Sequence, residues 1–115
     1  MNKFSPIPGF RLITVSHTPL HRGFHVTFDN GYTVSVQFGP NSVCSVKNED
    51  DEIITPLNID EKVPNAEVAV ISEDQELIPF RSGDETKGFV SPEELVGILT
   101  WVMRRGKENE AVNTP

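Results

Sequence analysis

The sequence predicts an α+β domain, in which an antiparallel β-sheet of four to six strands carries one C-terminal α-helix packed on one face. Two observations predict this fold. Apolar and polar residues alternate in two runs on either side of Asn30-Gly31, the pattern of a β-hairpin. Nearer the C-terminus, a capping motif that begins at Ser91 precedes an apolar stripe of helical period.

The size of the chain fits a single domain. It has 115 residues, of which 37% are hydrophobic, and no apolar run approaches the length of a membrane span. We expect one α+β domain over residues 1–106. Within it, residues 1–9 form an extended, proline-containing arm and residues 47–64 an irregular acidic loop. Residues 107–115 have almost no apolar content and are expected to be disordered.

The first strand is predicted over residues 10–16, and the hairpin follows it. A two-residue turn at Asn30-Gly31 would pair Phe28 with Thr33 and mix apolar with polar faces. A three-residue loop over 29–31 pairs Phe28 with Tyr32 and separates the faces, with Gly31 in the left-handed region. The apolar face then comprises Phe24, Val26, Phe28, Tyr32, Val34, Val36 and Phe38, and the polar face comprises His25, Thr27, Thr33, Ser35 and Gln37.

The later elements complete the sheet and add the helix. Residues 66–71 are apolar on both faces, typical of a central strand, and residues 77–80 form a partner strand that Pro79 restricts to an edge or a bulge. In the helix, Ser91 is the N-cap and Glu94 completes a capping box. Its apolar stripe is formed by Leu95, Ile98, Leu99 and Val102, widened by Val96 and Met103, and should pack on the apolar face of the hairpin.

The charge is unevenly distributed. The net charge of −7 disfavours direct binding of nucleic acid. Most of it comes from residues 48–98, which carry 14 acidic residues against three basic ones. The densest acidic run consists of Glu49, Asp50, Asp51 and Glu52. Two interpretations remain: a solvated loop, or an acidic surface that binds a basic partner.

No motif in the sequence indicates catalysis, a metal site or a cofactor. His17, His21 and His25 are spaced four apart, but Pro19 and Gly23 interrupt the segment, so a helical metal face is not expected. Cys44 is the single cysteine, which excludes an internal disulfide and a zinc-binding cysteine cluster. We therefore expect no catalytic residue, no metal and no cofactor.

Two features are candidates for a binding surface. Trp101 lies about 60° from the apolar stripe by the helical period, and it either packs at the edge of the core or serves as a partly exposed aromatic anchor. The polar face of the hairpin, with His25, Thr33 and Ser35, is either solvated or the open face of a sheet that pairs with another subunit.

The sequence also resembles a known family. The stretch from Phe28 to Pro40, with NG-x-TVSVQF-G followed by Cys44, resembles a family of small uncharacterised proteins of tailed bacteriophages. Two later motifs resemble it in the same order, Asn65 to Ala69 and Lys87-Gly88-Phe89 followed by the SPEEL sequence of the helix. The chain departs from the family in its acidic insert near residues 49–52 and in carrying Gln75 where members often have glycine. The resemblance implies a phage origin and the host cytoplasm, and no activity.

Three hypotheses for function remain. The first is a non-enzymatic phage accessory protein that binds a host or phage protein, such as an inhibitor of a host defence or regulatory factor. The second is an acidic mimic of nucleic acid, and the third is a small-ligand-binding protein or small enzyme. A membrane is not expected as a partner, and a homo-oligomer is left open.

Overall fold

A computed structural model of the chain describes residues 9–17, 22–39, 42, 44, 46–47, 50, 52–54 and 63–105. Residues 1–8 of the predicted arm, the predicted tail 107–115, and Glu49 and Asp51 lie outside the described residues. The strands in the described part are β1 (Phe10–His17), β2 (Arg22–Phe28), β3 (Thr33–Phe38), β4 (Val46–Lys47), β5 (Ile53–Ile54), β6 (Ala66–Ile71), β7 (Leu77–Ile78) and β8 (Lys87–Val90). The helix, α1, spans Pro92–Met103.

Six of these strands form one antiparallel sheet in the order β1-β2-β3-β6. The far edge of β6 is shared, because β7 pairs with its C-terminal half and β8 with its N-terminal half. The strand β6 is therefore central, as its apolar sequence predicts, and β7 lies at an edge, as Pro79 requires. The predicted α+β fold, with four to six strands and one C-terminal helix, is confirmed.

The hairpin between β2 and β3 has the predicted three-residue loop. The Phe28 N–H donates to the Tyr32 carbonyl at 2.9 Å, and Val26 lies opposite Val34. Gly31 has φ of +89°, in the region that glycine adopts without a steric penalty. Alternation therefore places the apolar side chains of both strands on the face that α1 covers in part.

The helix begins as predicted. The Glu94 N–H donates to Ser91 Oγ at 3.2 Å, and the Ser91 N–H donates to Glu94 Oε1 at 3.3 Å, which completes the capping box. Ile98 and Val102 of the apolar stripe are fully buried over β3. The prediction that Val96 widens this buried stripe is wrong, because 62% of its surface is exposed.

The structure corrects one local prediction and adds one strand to the sheet. The segment 47–64, predicted to be irregular, contains β5, which pairs with β4 to form a small separate sheet around Asp50. The residues before the helix, which the sequence analysis did not assign to a strand, form β8. There Phe89 has φ of +55° next to an irregularity in the pairing with β6.

Candidate interaction site

An apolar groove of about 330 Å³ lies between α1 and the β1–β2 half of the sheet. Its floor and its wall come from different elements. The floor is formed by Phe10, Ile13, Phe24, Val26 and Phe28, and the wall by Val96, Leu99, Thr100 and Met103 of α1. The apolar face of the hairpin and the apolar stripe of the helix, predicted to pack on each other, therefore meet only in part and diverge toward β1.

The groove exists because one helix is too narrow for this sheet. A helix is about 10 Å wide and strands are about 4.8 Å apart, so α1 covers roughly two strands. Since α1 lies over β3, β1 and part of β2 extend beyond it, although Val26 and Phe28 of β2 are buried in the core. The apolar side chains of these two strands on the helix side are therefore left facing the groove.

The strand β1 is unusually apolar for an exposed edge. Phe10, Leu12, Ile13 and Val15 are 66%, 56%, 53% and 80% exposed. A bulge at Arg11 shifts the register, since Phe10 lies opposite Phe28 but Leu12 lies opposite Thr27. As a result Phe10, Ile13 and Val15 share the helix side of the sheet, and Leu12 lies on the other side.

Arg11 holds this bulge in place. Its guanidinium donates to the carbonyl of Asp29 at 2.7 Å and lies 3.8 Å from the carboxylate of Glu73. The first contact ties the start of β1 to the loop of the hairpin, and the second ties it to the turn between β6 and β7, where Glu73 lies. The ring of Phe10, stacked on Phe28 with centroids 5.8 Å apart, is thereby positioned at one end of the groove.

The chemistry of the groove is almost wholly apolar. Of the described residues that line it, Thr100 alone has a polar side chain, and its hydroxyl donates to the Val96 carbonyl within the helix at 2.8 Å. Sites for polar small molecules instead combine an apolar surface with a few convergent polar groups. This groove is suited to receiving apolar side chains.

A smaller cavity of about 160 Å³ lies at the N-terminal end of α1 and shares Phe24 with the groove. Close to it, the Lys87 ammonium contacts the Glu94 carboxylate at 3.0 Å. This hydrogen bond, followed by the one from the Ser91 N–H, lowers the pKa of Glu94. The carboxylate is thus held in its charged form at the positive end of the helix dipole.

The predicted polar-face residues are brought together on the side of the sheet away from α1. His25 is exposed and lies directly opposite Ser35, which is half-buried. Thr33 is only 9% exposed, and its hydroxyl is 2.8 Å from that of Thr27 on the neighbouring strand. Thr33 is therefore not part of an open solvated surface, whereas His25 is accessible.

Trp101 lies on the other side of the helix from the groove wall. It is half-buried and packs against the core, and the guanidinium of Arg105 lies 4.2 Å from its ring centroid. One face of the indole is therefore occupied within the molecule. Its role as a binding anchor stays a prediction.

The acidic run is described only in part. Asp50 and Glu52 are exposed next to the small β4–β5 sheet. In the described part of the chain, no three of its histidine, cysteine, aspartate or glutamate residues are grouped so as to hold a metal ion. Cys44 is buried, its Sγ lies 3.4 Å from the Gly39 N–H and carbonyl oxygen, and burial raises the pKa of its thiol.

Comparisons of the chain with protein-family models, with curated proteins and with solved structures gave no match. Within the described ranges, α1 does not have the length and apolar character that crossing a membrane would need.

The groove was missed in the sequence analysis although its residues were assigned correctly to strands and helix. The sequence did contain one signal, because a single helix of 12 residues is too small to cover one face of a sheet of up to six strands. That mismatch indicates an uncovered sheet area, but it does not indicate which strands are uncovered. The position of α1 over β3 decides that, and it depends on contacts between residues far apart in sequence.

Proposed function

We propose that this protein is a small non-enzymatic phage accessory protein that acts in the host cytoplasm by binding another protein, of the host or of the phage. The groove between α1 and the β1–β2 half of the sheet carries the proposal. Its apolar lining and open shape support docking of a protein element over catalysis. A host defence or regulatory factor is one class of partner that fits this role.

The occupant that fits the groove is an amphipathic helix of the partner. The strands β1 and β2, which form the floor of the groove, are together about 10 Å wide, which is the diameter of one helix. A helix in this position would pack on the sheet and, at its side, against Val96, Leu99 and Met103 of α1. It would complete the helical layer that α1 begins, in the helix-in-groove mode of recognition.

The charge of the molecule favours a basic partner. The net charge of −7 attracts a positively charged protein over several ångströms and speeds its association. The groove itself contributes apolar contact and no ionic group from the residues that line it. We therefore expect a partner helix with an apolar face and basic residues outside that face.

The test is capture of partners from infected host cells with the full chain and two matched variants. Val96→Lys places a charge on the groove wall, at a position already 62% exposed, so folding should be retained. Leu77→Lys, at a 41% exposed position on β7, makes the same change far from the groove. We expect the specific partner to be captured by the wild type and by Leu77→Lys, with at least tenfold less retained by Val96→Lys.

The binding segment is then identified on the captured partner. A peptide from it should be helical and should bind the purified wild type but not Val96→Lys, as measured by calorimetry. A partner retained equally by both variants would contradict the proposed use of the groove. Turnover of a small molecule by the purified chain would contradict the non-enzymatic role.

A further inference from the structure

We propose that β1 is a dimerisation strand, and that it pairs antiparallel with β1 of a second copy to form one continuous sheet of twice six strands. The strand is eight residues long and forms one edge of the sheet, and no described strand lies on its outer side. Exposed edges of soluble proteins are usually protected by charges, proline or short length. The regular part of β1, residues 12–16, has none of these.

The backbone of β1 is oriented for this pairing. Because the Phe28 N–H bonds to Tyr32, alternation directs the peptide groups of Phe28, Val26 and Phe24 toward β3. The residues between them direct theirs toward β1, where they lie opposite residues 12, 14 and 16. The peptide groups of Ile13 and Val15 therefore point outward, away from β2.

The register of the β1–β1 pair is selected by the two-fold symmetry and by the sheet face on which each side chain lies. An antiparallel pair of identical strands has its two-fold axis perpendicular to the sheet, so paired residues must lie on the same face. Pairing Thr14 with Thr14 of the second copy centres the axis on the regular part of β1. Ile13 then lies opposite Val15 of the second copy, and these two residues exchange hydrogen bonds through their outward-pointing peptide groups.

Exposed area and charge favour a second copy at this edge. The exposed parts of the four apolar side chains of β1 amount to about 450 Å² per copy, at roughly 150–200 Å² for each side chain. Even if pairing buried all of this area, two copies would bury about 900 Å², which is below the roughly 1,000 Å² of stable interfaces, so the dimer should be weak and reversible. The strand carries no acidic residue, and in this register its one arginine, Arg11, lies toward His17 of the second copy and away from its own equivalent. The seam therefore adds no contact between acidic residues to the general repulsion between two molecules of net charge −7.

Such a dimer would also arrange the grooves. A two-fold axis perpendicular to the sheet places both helices on the same side, with the β1 and β2 strands of both copies between them. These strands span about 19 Å, which is room for two helices side by side. The two grooves become one composite surface, although dimerisation itself does not depend on the proposed function.

The first test measures molecular mass in solution by sedimentation of the full chain from micromolar to several hundred micromolar concentration. We expect a reversible dimer for the wild type, for Leu77→Lys and for Val96→Lys. We expect a monomer for Val15→Lys, because Val15 is 80% exposed and its replacement charges the seam without disturbing the fold. Circular dichroism and thermal unfolding confirm that each variant is folded.

The second test fixes the register. Thr14→Cys should form a disulfide-linked dimer on mild oxidation, because directly opposed residues of a non-hydrogen-bonded pair have Cα atoms about 4.5 Å apart. Ser16→Cys is the matched control on the same face. Its symmetry-related residue would be about 14 Å away, so it should not cross-link. Cys44 is buried and should not react under these conditions.

A monomer at all concentrations overturns the proposal, as does a dimer that Val15→Lys leaves intact. Cross-linking by Ser16→Cys in preference to Thr14→Cys overturns the register. Failure here is separable from failure of the proposed function, because Val96→Lys should lose the partner while remaining dimeric. If the wild type is monomeric and Val96→Lys still loses the partner, the dimer proposal fails and the proposed binding of another protein in the groove is supported.

Discussion

Asn30 joins the hairpin to the end of the helix. Its Oδ1 accepts the Tyr32 N–H at 3.0 Å within the loop, while its Nδ2 donates to the Val102 and Arg105 carbonyls at 2.8 and 3.0 Å. The Val102 carbonyl also accepts the Arg105 N–H at 3.1 Å, so the amide adds a further bond there and gives the Arg105 carbonyl a side-chain partner. The same residue therefore shapes the loop and fixes where α1 ends over the sheet.

We expect Asn30→Ala to lower the free energy of unfolding by about 1–2 kcal/mol, because it removes hydrogen bonds at a half-buried site. Asn30→Asp keeps the acceptor for Tyr32 but removes both donors and places a negative charge at the negative end of the helix dipole. It should therefore destabilise at least as much at pH 7. Denaturant unfolding measures both, and wild-type stability of Asn30→Asp would show that the contact with the helix contributes nothing.

Backbone strain at single residues gives a second prediction. Gln75, in the turn between β6 and β7, has φ of +66°, a left-handed conformation that glycine adopts without the steric cost of a Cβ. Gln75→Gly should raise stability by up to about 1 kcal/mol, since relief of strain exceeds the added entropy of the unfolded chain.

The matched opposite change is Gly31→Ala. It introduces strain at φ of +89° and brings a Cβ within 2.6 Å of the Glu73 carboxylate, so it should cost more than about 1 kcal/mol. Thermal unfolding compares the two variants. Destabilisation by Gln75→Gly would contradict the left-handed conformation of the turn.

At the scale of elements, the start of α1 was predictable because its signals are local. Ser91, Pro92 and Glu94 are neighbours in sequence, and the capping box they predict is present. The contact between Glu94 and Lys87 of β8 was not predictable, because it depends on how the strand turns into the helix. The hairpin register was also predictable, since only one loop length separates the apolar and polar faces.

The helix start gives a dependence on pH. The hydrogen bond from Lys87, with that from the Ser91 N–H, lowers the pKa of Glu94 in the folded protein. The stability that it contributes is therefore fully present above the pKa of the unfolded chain, about 4.3, and is lost as the pH falls through the lower, folded value. Glu94→Gln keeps an acceptor for the capping box and should lose less stability than the wild type between pH 7 and pH 3.

Urea unfolding at a series of pH values tests this, with Glu85→Gln as a control at an exposed carboxylate in the loop before β8. The side chains of Lys87 and Glu94 are each about one-third exposed, so their ion pair should contribute only modestly to the change of stability with pH. If the free energy of unfolding falls equally steeply with pH in Glu94→Gln and in the wild type, this pair makes no contribution.

For the whole molecule, the central question is how much of the sheet the helix covers. The core is continuous from β2 through β3 and β6 to α1, but β1 and part of β2 extend beyond it. The groove and the exposed edge strand both result from this offset. The proposed partner binding and the proposed dimer are therefore two consequences of a single packing arrangement.

The sequence by itself determined the fold class, the hairpin with its three-residue loop and the start of the helix. Each of these follows from periodicity or from capping and turn residues within a few positions of one another. Only the tertiary structure decided that α1 lies over β3, that Asn30 contacts its end and that β1 remains exposed. Those features depend on packing between distant segments, for which side-chain patterning specifies which face is buried but not what covers it.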